Sequence, residues 1–129
     1  MLGTLIVLCV VACVVRWYRM EERWRAECHT RCRSDAMLKQ VAEQVEMFYV
    51  DYNRYPRSLE DLAAATPPPY IEGGDWHPFL TELPQDGWRR PFVYRAGNDG
   101  YALLSLGRDG RVGGQGPDAD LEVRGHPWR

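Results

Sequence analysis

Residues 83–121 read LPQDGWRRPFVYRAGNDGYALLSLGRDGRVGGQGPDADL, and this stretch decides the fold. A Leu83-Pro84 step and an Asp86-Gly87-Trp88 turn lead into an apolar strand at residues 92–95. Asn98-Asp99-Gly100 then reverses the chain, because these residue types tolerate the backbone of a tight hairpin. A second strand at residues 101–106 empties into a glycine-rich loop holding Asp109, Asp118 and Asp120. No His, Cys or Ser nucleophile constellation accompanies these acids, which argues against hydrolytic chemistry.

A lone hairpin is marginal in water and needs a covering element. The sequence supplies one upstream. Met37, Val41, Val45, Phe48 and Tyr52 recur at steps of three and four, with Leu38 and Tyr49 beside them. That is the apolar stripe of an amphipathic helix. Laid across one face of the sheet, it buries both surfaces. Phe92 and Tyr94 then point one way, and Val93 and Arg95 the other. Trp88 and Phe92 are expected to be buried against Val45 and Phe48. The fold class is α+β: a long N-terminal helix packed against a small antiparallel sheet with a C-terminal loop.

No Pro interrupts the chain before Pro56, so one helix from the N-terminus is feasible. It should stop at Asn53-Arg54-Tyr55-Pro56, because the residue before Pro avoids the helical region. Ser58 is placed to cap a short helix at residues 59–65, with Glu60 and Asp61 in its first turn. Thr66-Pro67-Pro68-Pro69 ends it. Residues 70–81 read as an ordered loop whose Trp76 and Phe79 pack down.

The N-terminus is apolar over residues 2–15, then Arg16-Trp17-Tyr18-Arg19 follow. Fourteen residues fall short of the roughly 20 a bilayer span needs. An aromatic belt at Trp17 and Tyr18 with snorkelling arginines makes a retained membrane helix the expectation. The chain then divides into a membrane-embedded helix at 1–19, a helical stem at 20–52 and a globular head at 53–129. The arginines beyond the apolar run place the body in the cytoplasm under the positive-inside rule, against the periplasmic placement below.

The 129 residues allow one domain plus an anchor. A net charge of −2 gives no reason to expect nucleic acid as a partner. Lys39 is the only Lys, and the arginines alternate with acids, so no phosphate-binding stripe forms. Cys9 and Cys13 lie in the apolar run and read as packing residues. Cys28 and Cys32 share a helix face. Free thiols or pairing between chains are expected ahead of a strained intrahelical disulfide. One helical turn supplies too few ligands for zinc, even with His29 nearby.

The motifs have a family likeness. Asp51-Tyr52-Asn53-Arg54-Tyr55-Pro56, followed by Ser58-Leu59-Glu60-Asp61-Leu62, resembles the helix-to-head junction of type II secretion pseudopilins. Leu83-Pro84-Gln85-Asp86-Gly87-Trp88-Arg89-Arg90-Pro91-Phe92 is similar to the Leu-Pro-x-Asp-Pro-Trp-Gly-x-Pro-Tyr motif of their major subunit, the G pseudopilin. Ser105-Leu106-Gly107-Arg108-Asp109-Gly110, with Gly113-Gly114 and Asp118-Ala119-Asp120-Leu121, resembles that subunit's calcium loop, and Pro127-Trp128 sits near a Trp of the family. Gly87 and Arg89 stand where the family has Pro and Gly. Gly3-Thr4-Leu5-Ile6-Val7-Leu8 echoes the family's processed N-terminus but lacks its aromatic residue and its Glu, whose place Val7 takes.

The residues alone leave a solvated acidic loop and a cation site both open. Calcium takes six to eight oxygens from carboxylates and carbonyls. The resemblance implies calcium as cofactor, held by the carboxylates of Asp109, Asp118 and Asp120 and the carbonyls of Leu106 and Arg111. It further implies a non-enzymatic filament subunit of the secretion pseudopilus. Its partners would be other pseudopilin subunits, the inner-membrane platform of the machine and the membrane, with a single-pass inner-membrane helix and the head in the periplasm. The alternative is a membrane-anchored, calcium-stabilised accessory module that caps or regulates such a machine without polymerising.

Overall fold

The computed structural model describes residues 2–97 and 99–125. Asn98 and Pro127-Trp128, drawn on above, lie outside them. Helix α1 is Leu2–Tyr52 and helix α2 is Leu59–Ala63. Strands β1 (Val93–Gly97), β2 (Gly100–Ser105) and β3 (Leu121–Gly125) follow, with a 3-10 turn at Gly116–Asp118 before β3. The sheet is antiparallel in the order β1-β2-β3. The α+β expectation holds. The third strand was not anticipated, because the reading of the loop ended at Leu121.

α1 is continuous because nothing in its sequence breaks it: no Pro occurs and the one Gly is Gly3. It stops two residues before the Tyr55-Pro56 step. Asn53 adopts φ 52°, and its amide donates to the Tyr49 carbonyl at 2.7 Å. A left-handed Asn closing a helix in this way is a common C-terminal cap. α2 is fixed at its start by Asp61, whose Oδ2 accepts from the Ser58 and Arg57 amides at 3.1 and 3.0 Å.

The stripe of α1 does what its spacing dictates. Leu38, Val41, Ala42, Val45 and Phe48 are buried in one core with Leu59 and Leu62 of α2, Phe92 just before β1, and Tyr101 and Leu103 of β2. Along β2 the buried residues Tyr101, Leu103 and Ser105 alternate with half-exposed ones, as a one-sided strand requires. Trp76 and Phe79 pack on Phe48, with ring centroids 6.4 and 5.4 Å away, and Trp76 Nε1 donates to the Ala64 carbonyl. Phe92 is buried as expected, but Trp88 is only half-buried.

The N-terminal part differs from expectation. Among the described residues no helix is long and apolar enough to cross a membrane. The apolar run over residues 2–15 is about 21 Å of helix against a hydrocarbon layer of about 30 Å. Arg16 and Arg19 then charge the next turn. A single-pass inner-membrane anchor carrying a periplasmic head is therefore overturned. Cys9 and Cys13 stand exposed rather than packed.

Candidate functional site

The site is assembled from a turn outward. Asp86 is 4 % exposed and organises residues 85–91. Its Oδ1 accepts from the amides of Trp88 and Arg90, both at 2.9 Å, and its Oδ2 accepts from the buried Ser105 hydroxyl at 2.7 Å. The next residue reaches the stem: the Gly87 amide donates to Ser34 Oγ at 2.8 Å, and Ser34 donates to the Thr30 carbonyl. A Cβ on Gly87 would sit 2.4 Å from that carbonyl, so the turn touches the helix backbone directly. The Gly that replaces the family's Pro thus has a specific use. Arg89, where the family has Gly, is held at φ 62°, a region costly for a residue with a Cβ.

This turn aims Arg90 at the glycine-rich loop. Its Nη1 donates to the carbonyls of Gly107 and Arg108 at 2.8 and 2.7 Å. From the stem, Arg31 Nη1 donates to the carbonyls of Gly116 and Ala119 at 3.1 and 2.8 Å. Two guanidinium groups therefore clamp the two ends of the loop. Arg108 joins loop and stem: it meets both carboxylate oxygens of Asp118 at 2.8 and 3.1 Å and Glu27 Oε1 at 2.5 Å. Asp118 and then Glu27 raise the Arg108 pKa further above its already high value. Gly107 and Gly114, both at positive φ, admit the Asp118 carbonyl to within 2.5 Å of where a Cβ would stand.

The predicted ligands are placed unevenly. Asp109 is exposed, and its Oδ1 caps its own turn through the Arg111 amide at 3.0 Å. Asp118 is committed to Arg108. Asp120 Oδ2 accepts from the Gly113 amide at 2.9 Å, while its Oδ1 is buried without a hydrogen-bond partner. The Leu106 and Arg111 carbonyls accept no hydrogen bond from the described residues. No group of three or more His, Cys, Asp or Glu side chains among the described residues is gathered to hold a metal. The donor set fits a cation at Asp120, where an orphaned carboxylate oxygen is costly unless something positive meets it. It fits at Asp118 only in exchange for Arg108.

Sequence reasoning missed Glu27, Arg31, Ser34 and Arg90, which dock the loop and turn. A signal existed. Glu27, Arg31, Ser34 and Leu38 continue the apolar stripe upward at steps of four, three and four. A polar extension of a buried helix face implies polar partners across from it.

A long helix whose C-terminal half carries a small antiparallel sheet, closed by a glycine-rich loop clamped to the stem, is the pseudopilin-like architecture the motifs anticipate. The family model described as type II secretion system (T2SS), protein G, matches residues 25–124, and the chain belongs to that family. Curated relatives called type II secretion system core protein G share this stretch. The one from Pseudomonas aeruginosa is 34 % identical over 90 residues, covering 65 % of this chain and 63 % of its own length. That from Xanthomonas campestris pv. campestris is 32 % identical over 92 residues, covering 69 % and 62 %. That from Vibrio cholerae is 30 % identical over 86 residues, covering 60 % and 56 %. The chain thus spans less than two thirds of the length of these relatives.

Proposed function

We propose that this chain is a structural subunit of a type II secretion pseudopilus, supporting the export of folded proteins by assembling with other pseudopilin subunits rather than by catalysis. The observation that carries this reading is the extent of the family match. It runs from the stem, at residue 25, through the head to β3, at residue 124, and so includes the junction that fixes head to helix. A subunit that works by assembly needs such a junction, because its neighbours act on the helix while the head forms the surface.

The same proposal includes calcium in the loop at residues 106–120. Asp120 and Asp109 would supply carboxylates and Leu106 and Arg111 their carbonyls, with Asp118 joining if Arg108 releases it. Bound there, calcium would supply the positive charge that the Asp120 oxygen lacks. Support comes from that unpartnered oxygen and the unengaged carbonyls.

The test is complementation. The full chain is produced in a bacterium whose type II system lacks its own G subunit, and both pseudopilus assembly and secreted protein in the medium are scored. The reading expects this chain to be recovered in filaments and secretion to be restored. A stably produced chain that neither enters filaments nor restores secretion overturns it.

A further inference from the structure

The thiols of Cys28 and Cys32 approach to 4.0 Å on α1, and both residues are exposed. Glu27, Arg31 and Ser34 face the head and its loop. At about 100° per residue, the two cysteines point a quarter-turn or more from the middle of that face, and both are exposed. Ion pairs on the same helix bracket them: Arg25 with Glu21 at 2.9 Å and Lys39 with Asp35 at 2.6 Å. Among the described residues no other pair of cysteines brings its thiols into contact. Cys9 and Cys13 share the spacing but not the approach.

We infer that Cys28 and Cys32 form a two-thiolate site for a soft monovalent cation of the copper(I) class, held on a single helix. A disulfide needs sulfurs about 2.05 Å apart, and helical spacing resists that closure. A metal does not require it. Metal–thiolate bonds of about 2.3 Å reach across a 4.0 Å gap with one ion between the sulfurs, at an S–metal–S angle of about 120°. Oxygen-seeking cations have no use for such a pair. Zinc completes a tetrahedral set, and no third His, Cys, Asp or Glu among the described residues is positioned to join. Soft thiolate ligands with an incomplete shell favour copper(I). Binding exchanges two S–H protons for two sulfur–metal bonds, with no change of oxidation state.

The site does not depend on the pseudopilus reading, and its test uses the full chain carrying Cys9→Ser and Cys13→Ser. Copper(I) is titrated without oxygen, against a chromophoric copper(I) chelator, with far-UV circular dichroism as the check on folding. One equivalent should bind. Adding Cys28→Ser or Cys32→Ser should weaken binding at least tenfold. Cys32→Ser combined with Arg33→Cys keeps two thiols but turns one off the shared face, and should weaken it as much. Three results overturn the inference: single-thiol variants that bind as tightly, an Arg33→Cys variant that binds as tightly, or saturation at half an equivalent with dimerisation, which places the site between two chains.

Discussion

Replacing Asp86 with Ala should be the most damaging change in the head outside its apolar core. The carboxylate accepts three hydrogen bonds, two from backbone amides and one from Ser105, at 2.7–2.9 Å. Hydrogen bonds to charged groups contribute about 1.5–3 kcal/mol each, and a buried donor left unmade costs about 1–3 kcal/mol. The variant strands a Ser105 hydroxyl that is 0 % exposed and two amides that lie nearer water. Removing the carboxylate also removes its own desolvation cost, which offsets part of the loss. The net is roughly 3–5 kcal/mol, from three hydrogen bonds to a charged acceptor and one fully buried donor left unmade. With a urea slope of about 2 kcal/mol/M, the unfolding midpoint should fall by roughly 1.5–2.5 M. Ser105→Ala leaves both amide bonds in place and should cost only about 1 kcal/mol. Urea titration followed by tryptophan fluorescence measures both. An Asp86→Ala midpoint within about 0.3 M of the parent would show that the turn does not hold the head together.

Arg89→Gly should stabilise the head by about 1 kcal/mol, because it relieves a left-handed backbone at a residue with a Cβ. An unchanged or lowered urea midpoint contradicts this. Calcium at one hundred times its dissociation constant should stabilise the folded chain by about 2.7 kcal/mol, seen as a higher melting temperature. Asp120→Ala should abolish that shift, and identical melting curves in calcium and in chelator refute the site. Burial, foremost, pushes Tyr55 and Tyr70 up to about 12 and raises Tyr94 and Tyr101 too. Their folded pKa exceeds the unfolded value of about 10, so the stability they contribute is whole below pH 10 and is lost as pH rises through 12. Phenolate absorbance should therefore show these four ionising together with unfolding, and early ionisation at pH 10 in the still-folded chain counts against the packing.

Local patterns were the legible part of this chain. The helix stripe, the helix end and the first two strands are each encoded within a few residues, and each formed within two residues of where it was expected. β3 is equally local, since Leu121-Glu122-Val123-Arg124 alternates apolar with charged residues. The partnership of Arg108 with Asp118 and Glu27 was not legible, because Glu27 lies 81 residues away and an arginine in a loop carries no mark of its partner. The role of Asp86 hid for a related reason. Its motif is readable, but burial of its carboxylate against Ser105 follows only once β2 is laid beside the turn. The membrane expectation failed on length: aromatic and arginine flanks were asked to extend a run that is too short by itself.

The unbroken course of α1 makes the molecule a lever. The head grips the helix from about Glu27 to Tyr52, and the described helix runs on from there to Leu2. That free arm is about 37 Å long, and a head tilted by about 10° carries its far end sideways by about 6 Å. No Pro and no second Gly lies along the arm to absorb the angle. Where the tip sits and how the head is turned are therefore a single variable. At the fulcrum Arg31 and Arg108 join the helix to the loop, and the exposed Arg108–Glu27 pair loosens with added salt.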